Sequence, residues 1–475
     1  MQLRQRISRL QRFAIVVAVL FNANAQTVPA AAPKLPATVL DPDTFFYGWP
    51  YPAISPDGQW VAYVSKGFVS VCNIGEPVPR RVMEVPNSWT WTRFQVGSGE
   101  SAKNGTFDAL SRGLERDERD KLHEQLHNTI YGLNWTFDSQ GFVFGLQKRD
   151  RAKNASTYDG YLASTDGQIA RLSHINPDSQ IRGIVAGILT RDRKFMVSPV
   201  TAASWARYRP LIWDVKENRP RATPFLFLTP SQTSGRWIGI EKDTQQLVVT
   251  DERFEVIKRY NETIPNKSYG LRIDWSPDER FIIWRNTIGF DHFSNWEGFA
   301  MDLTTGAKRP LEGLLMSELI AFTGHGGEFI RFGADGARSK LISGDLITGA
   351  HLTIVPDDTK QPPRNLWQVQ ADRGKNQLGE VHFSGVNSHL HISPDGSLFA
   401  VCLPGSSDDK PALSWYLLNR DGKKWRFPGA DSGGFVSPYD VAGFADNGKK
   451  LVAYDSTRLF TVPVSAIMVD ENVVK

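Results

Sequence analysis

Cysteine is scarce: Cys72 and Cys402 are the only two in 475 residues. Two thiols in a chain this long form no disulfide framework, and their spacing matches no zinc site. Both sit in apolar runs, so two buried free thiols are the expected reading, with a Cys72–Cys402 bond as the alternative. Charge of one sign is also lacking. The chain carries 55 Lys+Arg against 51 Asp+Glu. Residues 1–25 hold four Arg and no acid, so without them each sign counts 51. Such a balance gives no support for a nucleic-acid partner, which needs a concentrated basic face. No phosphate-binding glycine loop, EF-hand or zinc-protease motif occurs, nor a Gly-x-Ser-x-Gly nucleophile turn.

Long apolar runs are missing too. The longest, Phe13 to Phe21, falls short of the ~20 residues that span a bilayer. It follows Arg4, Arg6, Arg9 and Arg12 and precedes Ala23-Asn24-Ala25. A basic start, a short apolar core and an Ala-x-Ala end form a secretory signal peptide over 1–25. The expected protein is periplasmic or secreted, with no transmembrane segment after signal removal. Residues 26–44, rich in Ala, Pro and Thr, are expected to be a flexible lead-in.

What the chain has in abundance is one local pattern. An apolar or aromatic residue runs into a polar turn, and a β-branched or aromatic run follows. Three copies are sharp: Ala53-Ile54-Ser55-Pro56-Asp57-Gly58, Asp274-Trp275-Ser276-Pro277-Asp278, and His391-Ile392-Ser393-Pro394-Asp395-Gly396. Pro sets φ at the first corner, Asp can accept from the backbone ahead, and Gly accepts a positive φ. Flanking residues of strong β preference supply the arms of a hairpin. Second hairpins follow several copies, as at Asp302-Leu303-Thr304-Thr305-Gly306 and Leu418-Asn419-Arg420-Asp421-Gly422. Two hairpins make a four-stranded unit.

Fainter copies anchor at 136, 190, 241, 323 and 445, giving eight units near the ~40–50 residues of one propeller blade. The short interval from 241 to 276 leaves seven open. Units of this kind bury both faces only by stacking into a ring. The expected fold is therefore all-β, a single propeller over 45–475. The long interval before 136 contains Leu110, Leu114, Leu122 and Leu126 at helical spacing, so an amphipathic helical insertion is expected at about 107–130.

The Ser-Pro-Asp-Gly turn, with an apolar residue before it and an apolar strand after, resembles the WD-repeat-like propellers of the TolB type. The same repeat builds the propeller halves of prolyl-oligopeptidase-type enzymes. TolB proteins carry an N-terminal α/β domain, whereas here the first repeat closely follows the leader. The peptidases carry a hydrolase domain with the nucleophile turn that this chain lacks, so peptidase activity is not expected. The resemblance speaks for architecture, which hosts many functions.

Period-two alternation puts His389 and His391 on one face of a first strand. Aligning the repeats sets Asn134 and Asp274 at the position of His391, and Arg272 at that of His389. A polar ring on these innermost strands could hold a ligand or a His-bound divalent metal. It could equally consist of inter-blade hydrogen bonds. The second candidate is the polar and aromatic stretch Arg285 to Gly298, with Arg285, His292 and Trp296. An aromatic face beside cations suits a sugar ring and its acid group. His325 and His351 read as structural. These features lead to an exported scaffold that binds a protein or a glycan at one face of the ring. The alternative is a carbohydrate-active enzyme, a lyase on an acidic polysaccharide, needing a base and a carboxylate-neutralising cation.

Overall fold

A run that is apolar at every position, such as Trp60-Val61-Ala62-Tyr63-Val64, suits a strand covered on both faces. The computed structural model bears this out. Val61 and Tyr63 pack with Ala445, Val452 and Leu459, while Ala62 and Val64 pack with Ile130, Phe142 and Phe144 on the other side. The structure describes residues 36–42, 44, 50–88, 94–96, 103–105, 110, 114–150, 153, 155–175, 187–198, 210–231, 233–264, 269–287, 296–311, 319–323, 326–334, 339–346, 351–355, 390–404, 413–421, 423–427, 440–455 and 457–469. Residues 1–25, expected to be a signal peptide, lie outside them.

Among the described residues there are eight four-stranded antiparallel sheets, the blades of a propeller. Blade one comprises Ala53–Ile54, Trp60–Ser65, Phe68–Asn73 and Arg80–Glu84. Blades two to seven open with Asn128–Trp135, Ile188–Leu189, Phe225–Pro230, Tyr269–Trp275, Leu319–Phe322 and Leu390–Ile392. Opening strands of neighbouring blades touch, as Ala53–Ile54 does Asn128–Trp135 on one side and Asp440–Ala445 on the other. They therefore surround the axis, and the fourth strands form the rim. The apolar clusters lie between blades, each filled from two neighbours. A blade removed from its neighbours would expose both faces.

Blade eight is closed by the chain's own beginning. Its strands Asp440–Ala445, Lys450–Tyr454 and Leu459–Pro463 are completed by Thr38–Asp41, which pairs antiparallel with Leu459–Pro463. The propeller thus starts at Thr38, within the segment expected to be a flexible lead-in, and not at 45. Leu40 explains the anchoring: it is 1% exposed and joins the cluster between blades eight and one. Asp41 accepts a hydrogen bond from the Tyr63 hydroxyl at 2.7 Å.

Among the described residues the helical insertion contains Leu110 and the helix Arg116–Glu124, with Leu122 buried, and it ends before the expected 130. From Asn128 the chain is already the first strand of blade two, since Thr129, Ile130 and Tyr131 suit a strand. A short hairpin, Phe94–Val96 with Lys103–Gly105, also belongs to this connection. Cys72 is a buried free thiol, so the disulfide alternative falls; burial pushes its pKa up to about 12.

The repeated turn is a closed hydrogen-bond unit. In blade five the Ser276 hydroxyl donates to Asp278 at 2.5 Å. The Arg280 amide donates to the same carboxylate at 3.1 Å, and the Phe281 amide to Ser276 Oγ at 2.8 Å. Ser55–Asp57, Thr136–Asp138, Thr190–Asp192 and Ser393–Asp395 repeat it. The fourth turn residue has a positive φ, +69° at Gly58 and +67° at Gly396, but also 58° at Ser139, 56° at Arg193 and 58° at Glu279. In each of these three non-glycine turns the fourth side chain reaches the preceding blade. Ser139 Oγ accepts from the Asp57 amide at 3.1 Å, and Arg193 pairs with Asp138 at 2.7 Å.

Glu279 completes a turn that has no aspartate of its own. In blade four the true turn is Ser231 to Arg236, closed by the Ser231 amide on the Arg236 carbonyl at 2.8 Å. The anchor expected at 241 is instead the connection between the second and third strands, Trp237–Glu241 and Gln246–Thr250. With Ser231 as anchor the short interval disappears. The Glu279 carboxylate takes the missing aspartate's place, accepting from Ser231, from Thr233 at 2.6 Å and from Arg236.

Two outcomes follow. Leu40→Ala should lower unfolding stability by about 2–4 kcal/mol, read from a urea midpoint; an unchanged midpoint would show that Thr38–Asp41 does not hold the ring. Burial alone would raise the Glu279 carboxyl, but the Ser231, Ser234, Thr233 and Arg236 donors outweigh it and hold it at about 2. Because the folded value lies below the unfolded one, this stabilisation is complete above about pH 5 and fades as pH falls toward 2. Glu279→Gln should cost roughly 2–3 kcal/mol at neutral pH, with the gap to wild type closing in acid. A gap that stayed constant down to pH 2 would show that the carboxylate's charge plays no part.

Candidate functional site: the loop-bearing end

Antiparallel order gives the ring two unlike ends. First-to-second and third-to-fourth strand connections emerge at one end, the others at the opposite end. The first end carries the tight turns just described, together with third-to-fourth turns such as Asp302 to Gly306, where the Thr304 amide donates to Asp302 at 2.8 Å. Its polar groups are largely spent on one another. The second end receives the longer connections, including those spanning 85–127, 288–295 and 356–389.

Blade two extends furthest by strand length: Gly141–Asp150 and Ala155–Ser164 are ten residues each. Toward the loop-bearing end both faces of this hairpin are polar. On one face Asp159, 2% exposed, is surrounded by donors. His174 Nδ1 lies 2.6 Å from Oδ1, Lys148 Nζ 3.2 Å from Oδ2, and the Tyr161 hydroxyl donates at 3.3 Å. Burial would raise Asp159, but the His174 and Lys148 bonds and charges prevail and hold it below the usual carboxylate range. Burial and the Asp159 charge push the Tyr161 hydroxyl up. On the other face Tyr131 donates to Gln147 at 2.5 Å, and Gln147 Nε2 donates to Ser156 at 3.1 Å and Tyr158 at 3.2 Å.

The sequence analysis missed this cluster. Its signal was Asp159 within Tyr158-Asp159-Gly160-Tyr161, a carboxylate inside a strand where aspartate is disfavoured. Such a residue needs partners, and the register supplies them by setting Asp159 opposite Leu146 and His174.

The expected candidates do not converge on one place. Asn134, Asp274 and His391 stand two residues before the turns of blades two, five and seven, near the turn end. The same position elsewhere holds Ala53, Ile188, Thr229, Ala321 and Gly443, so it forms no continuous polar ring. Asn134 Nδ2 donates to the Gly187 carbonyl of the next blade at 3.4 Å. His391 Nε2 lies 3.0 Å from the Val441 carbonyl of the next blade; since a carbonyl only accepts, Nε2 carries the proton. Its ring stacks on Trp415, centroids 5.7 Å apart. Asp274 is half-buried opposite Ile283.

Arg272 and Arg285 are direct register partners in blade five, and Trp296 pairs with Thr287. Arg285 and Trp296 thus belong to strands, so the connection shrinks to 288–295. The side chains of Arg272, Arg285 and Trp296 lie outside the described residues, as do His292, His325 and His389 entirely. His351 opens an outer strand, as expected. Among the described residues no group of three or more His, Cys, Asp or Glu could hold a metal, and no helix is long and apolar enough to cross a membrane.

No family model and no curated protein matches the chain. Solved structures do, and those named here are propellers. The Dos1 propeller is 9% identical, covers 90% of this chain and 94% of its own, and has a TM-score of 0.44. The β-propeller domain of the Trilobed protease from Pyrococcus furiosus is 10% identical, with 71% and 93% covered and a TM-score of 0.38. TolB from Acinetobacter baumannii is 14% identical, with 74% and 83% covered and a TM-score of 0.29. Similarity at this level concerns the fold alone, and the fold is a β-propeller.

Proposed function

We propose that the protein is an exported scaffold that binds a protein or a glycan through the loop-bearing end of its ring. The observation that carries this reading is the contrast between the ends. Turn-end connections are tight turns whose hydroxyls and carboxylates bond one another, whereas the loop-bearing end receives the longer connections, beside a blade-two hairpin whose own polar groups are likewise paired. Loops on a rigid scaffold are where binding usually resides. The lyase reading is weaker, because His391, one of its candidate groups, is held by the Val441 carbonyl of the next blade and stacked on Trp415.

Export is tested by sequencing the N-terminus of protein recovered from cell fractions. The expected result is a chain beginning at Gln26 outside the cytoplasm; a cytoplasmic chain retaining 1–25 would overturn it. For binding, the purified protein is probed against a glycan panel and an envelope-protein extract. Arg285→Ala and Trp296→Ala at the loop-bearing end should weaken capture at least ~10-fold, in line with a hot-spot contact. Lys423→Ala at the turn end should not. Equal effects at both ends would reject the assignment, and a rise in ultraviolet absorbance on uronic-acid polysaccharides would replace it with the lyase.

A further inference from the structure

The rim has a charge pattern that the overall balance conceals. Over blades one to five the fourth strands are Arg80–Glu84, Ile169–Ile175, Arg219–Arg221, Val256–Thr263 and Lys308–Pro310. They carry nine cations: Arg80, Arg81, Arg171, Arg219, Arg221, Lys258, Arg259, Lys308 and Arg309. All nine are exposed, and only Glu84 and Glu262 are acidic on the same strands. Ion pairs between described residues engage two of the nine, Arg259 with Glu241 and Lys308 with Glu262. In blade six the rim strand, His351–Val355, has no Lys or Arg, and in blade eight Thr38–Asp41 has only a negative charge; between them blade seven's Lys424–Arg426 adds two cations apart from the rest. The nine cations of blades one to five therefore form an arc along consecutive blades, not a uniform belt.

Charge on an outermost strand guards against edge-to-edge pairing. That role needs charge but not one sign over five neighbouring blades. We propose that the arc is a docking surface for a flexible acidic polysaccharide, whose uronic-acid carboxylates run from blade to blade along the rim. Seven of the nine cations are Arg, whose planar fork matches a carboxylate in two parallel hydrogen bonds. The guanidinium of Arg81 lies 4.6 Å from the Phe68 ring centroid and that of Arg221 4.8 Å from Phe195, while Lys308 lies 4.0 Å from Phe299. Cations on these rings occupy the faces on which nucleic-acid bases would have to stack. The arc is convex, so a planar membrane could touch only one or two strands at a time, whereas a flexible chain can follow it. This surface is separate from the loop-bearing end.

The test is binding of the whole exported chain to polygalacturonate, with uncharged dextran, dextran sulfate, single-stranded DNA and anionic vesicles in parallel over a salt series. Polygalacturonate should bind and dextran should not, with affinity falling steadily as salt rises. Replacing Arg171, Arg219 and Arg309 by Glu together should weaken binding at least tenfold and flatten the salt dependence. Lys449→Glu, at the turn end, should change neither, and thermal midpoints should show that the variants fold. Unchanged binding by the triple variant, or none by the wild type at low salt, would leave the arc as edge protection only. Tighter binding to dextran sulfate, DNA or vesicles than to polygalacturonate would overturn the choice of uronic-acid carboxylate as ligand.

Discussion

The ring depends on a single backbone constraint, a left-handed residue near the close of each opening turn, the fourth residue in most blades and the fifth, Gly235, in blade four. At Gly58 the conformation is easy, and its carbonyl accepts from the Asp446 amide of the last blade at 3.0 Å. At Ser139, Arg193 and Glu279 an L-residue adopts the same φ at a cost of about 1 kcal/mol or more. Each of those side chains then bonds to the blade before it. A glycine would relieve the strain and lose the bond. The reverse change at Gly58 would be strained twice over, by its φ of +69° and by a Cβ only 3.1 Å from the Asp446 backbone nitrogen, which would have to give by a few tenths of an ångström. One turn thus serves two purposes: it reverses the chain within a blade and sets the spacing between blades.

That spacing makes the core possible. Second and third strands are buried on both faces, and alternate residues enter different inter-blade clusters, as Val61 and Ala62 do. No cluster belongs to one blade, so stability grows with each neighbour added and is complete only when the ring closes. Closure falls to Thr38–Asp41, which comes first in the chain and pairs with a strand near its end. The last blade is therefore the most non-local, and its anchoring rests on Leu40 and on Asp41 with Tyr63.

Architecture was legible in the sequence where the signal was local. Ser, Pro, Asp and Gly within four residues, followed by an apolar run, mark the strongest blades. Reading failed where the partner lay far along the chain. Blade four's turn was misplaced because its carboxylate, Glu279, comes from 48 residues beyond Ser231. Thr38–Asp41 was taken for linker because nothing nearby hints at its partner strand. The helix was drawn too long because Leu126 continues the helical spacing while Thr129-Ile130-Tyr131 favours a strand. At the site level, aligning repeats did find equivalent positions at Asn134, Asp274 and His391. Alignment alone did not tell a channel-facing position from one facing the next blade, and Asn134 and His391 bond across that boundary.

The same physics separates structure from function on this molecule. Where each polar group has a partner on an adjoining turn, binding a ligand means breaking a bond already made, which costs about what it returns. The turn end is in that condition. The rim and the loop-bearing end are not equivalent alternatives either. The rim offers many weak, screened charges spread over a convex arc, suited to a long polymer held by avidity. At the loop-bearing end the Asp159 cluster is bonded internally as well, so what distinguishes that end is the longer connections it receives. The proposed scaffold would use the two surfaces differently, a polymer along the rim and a second partner at the loop-bearing end.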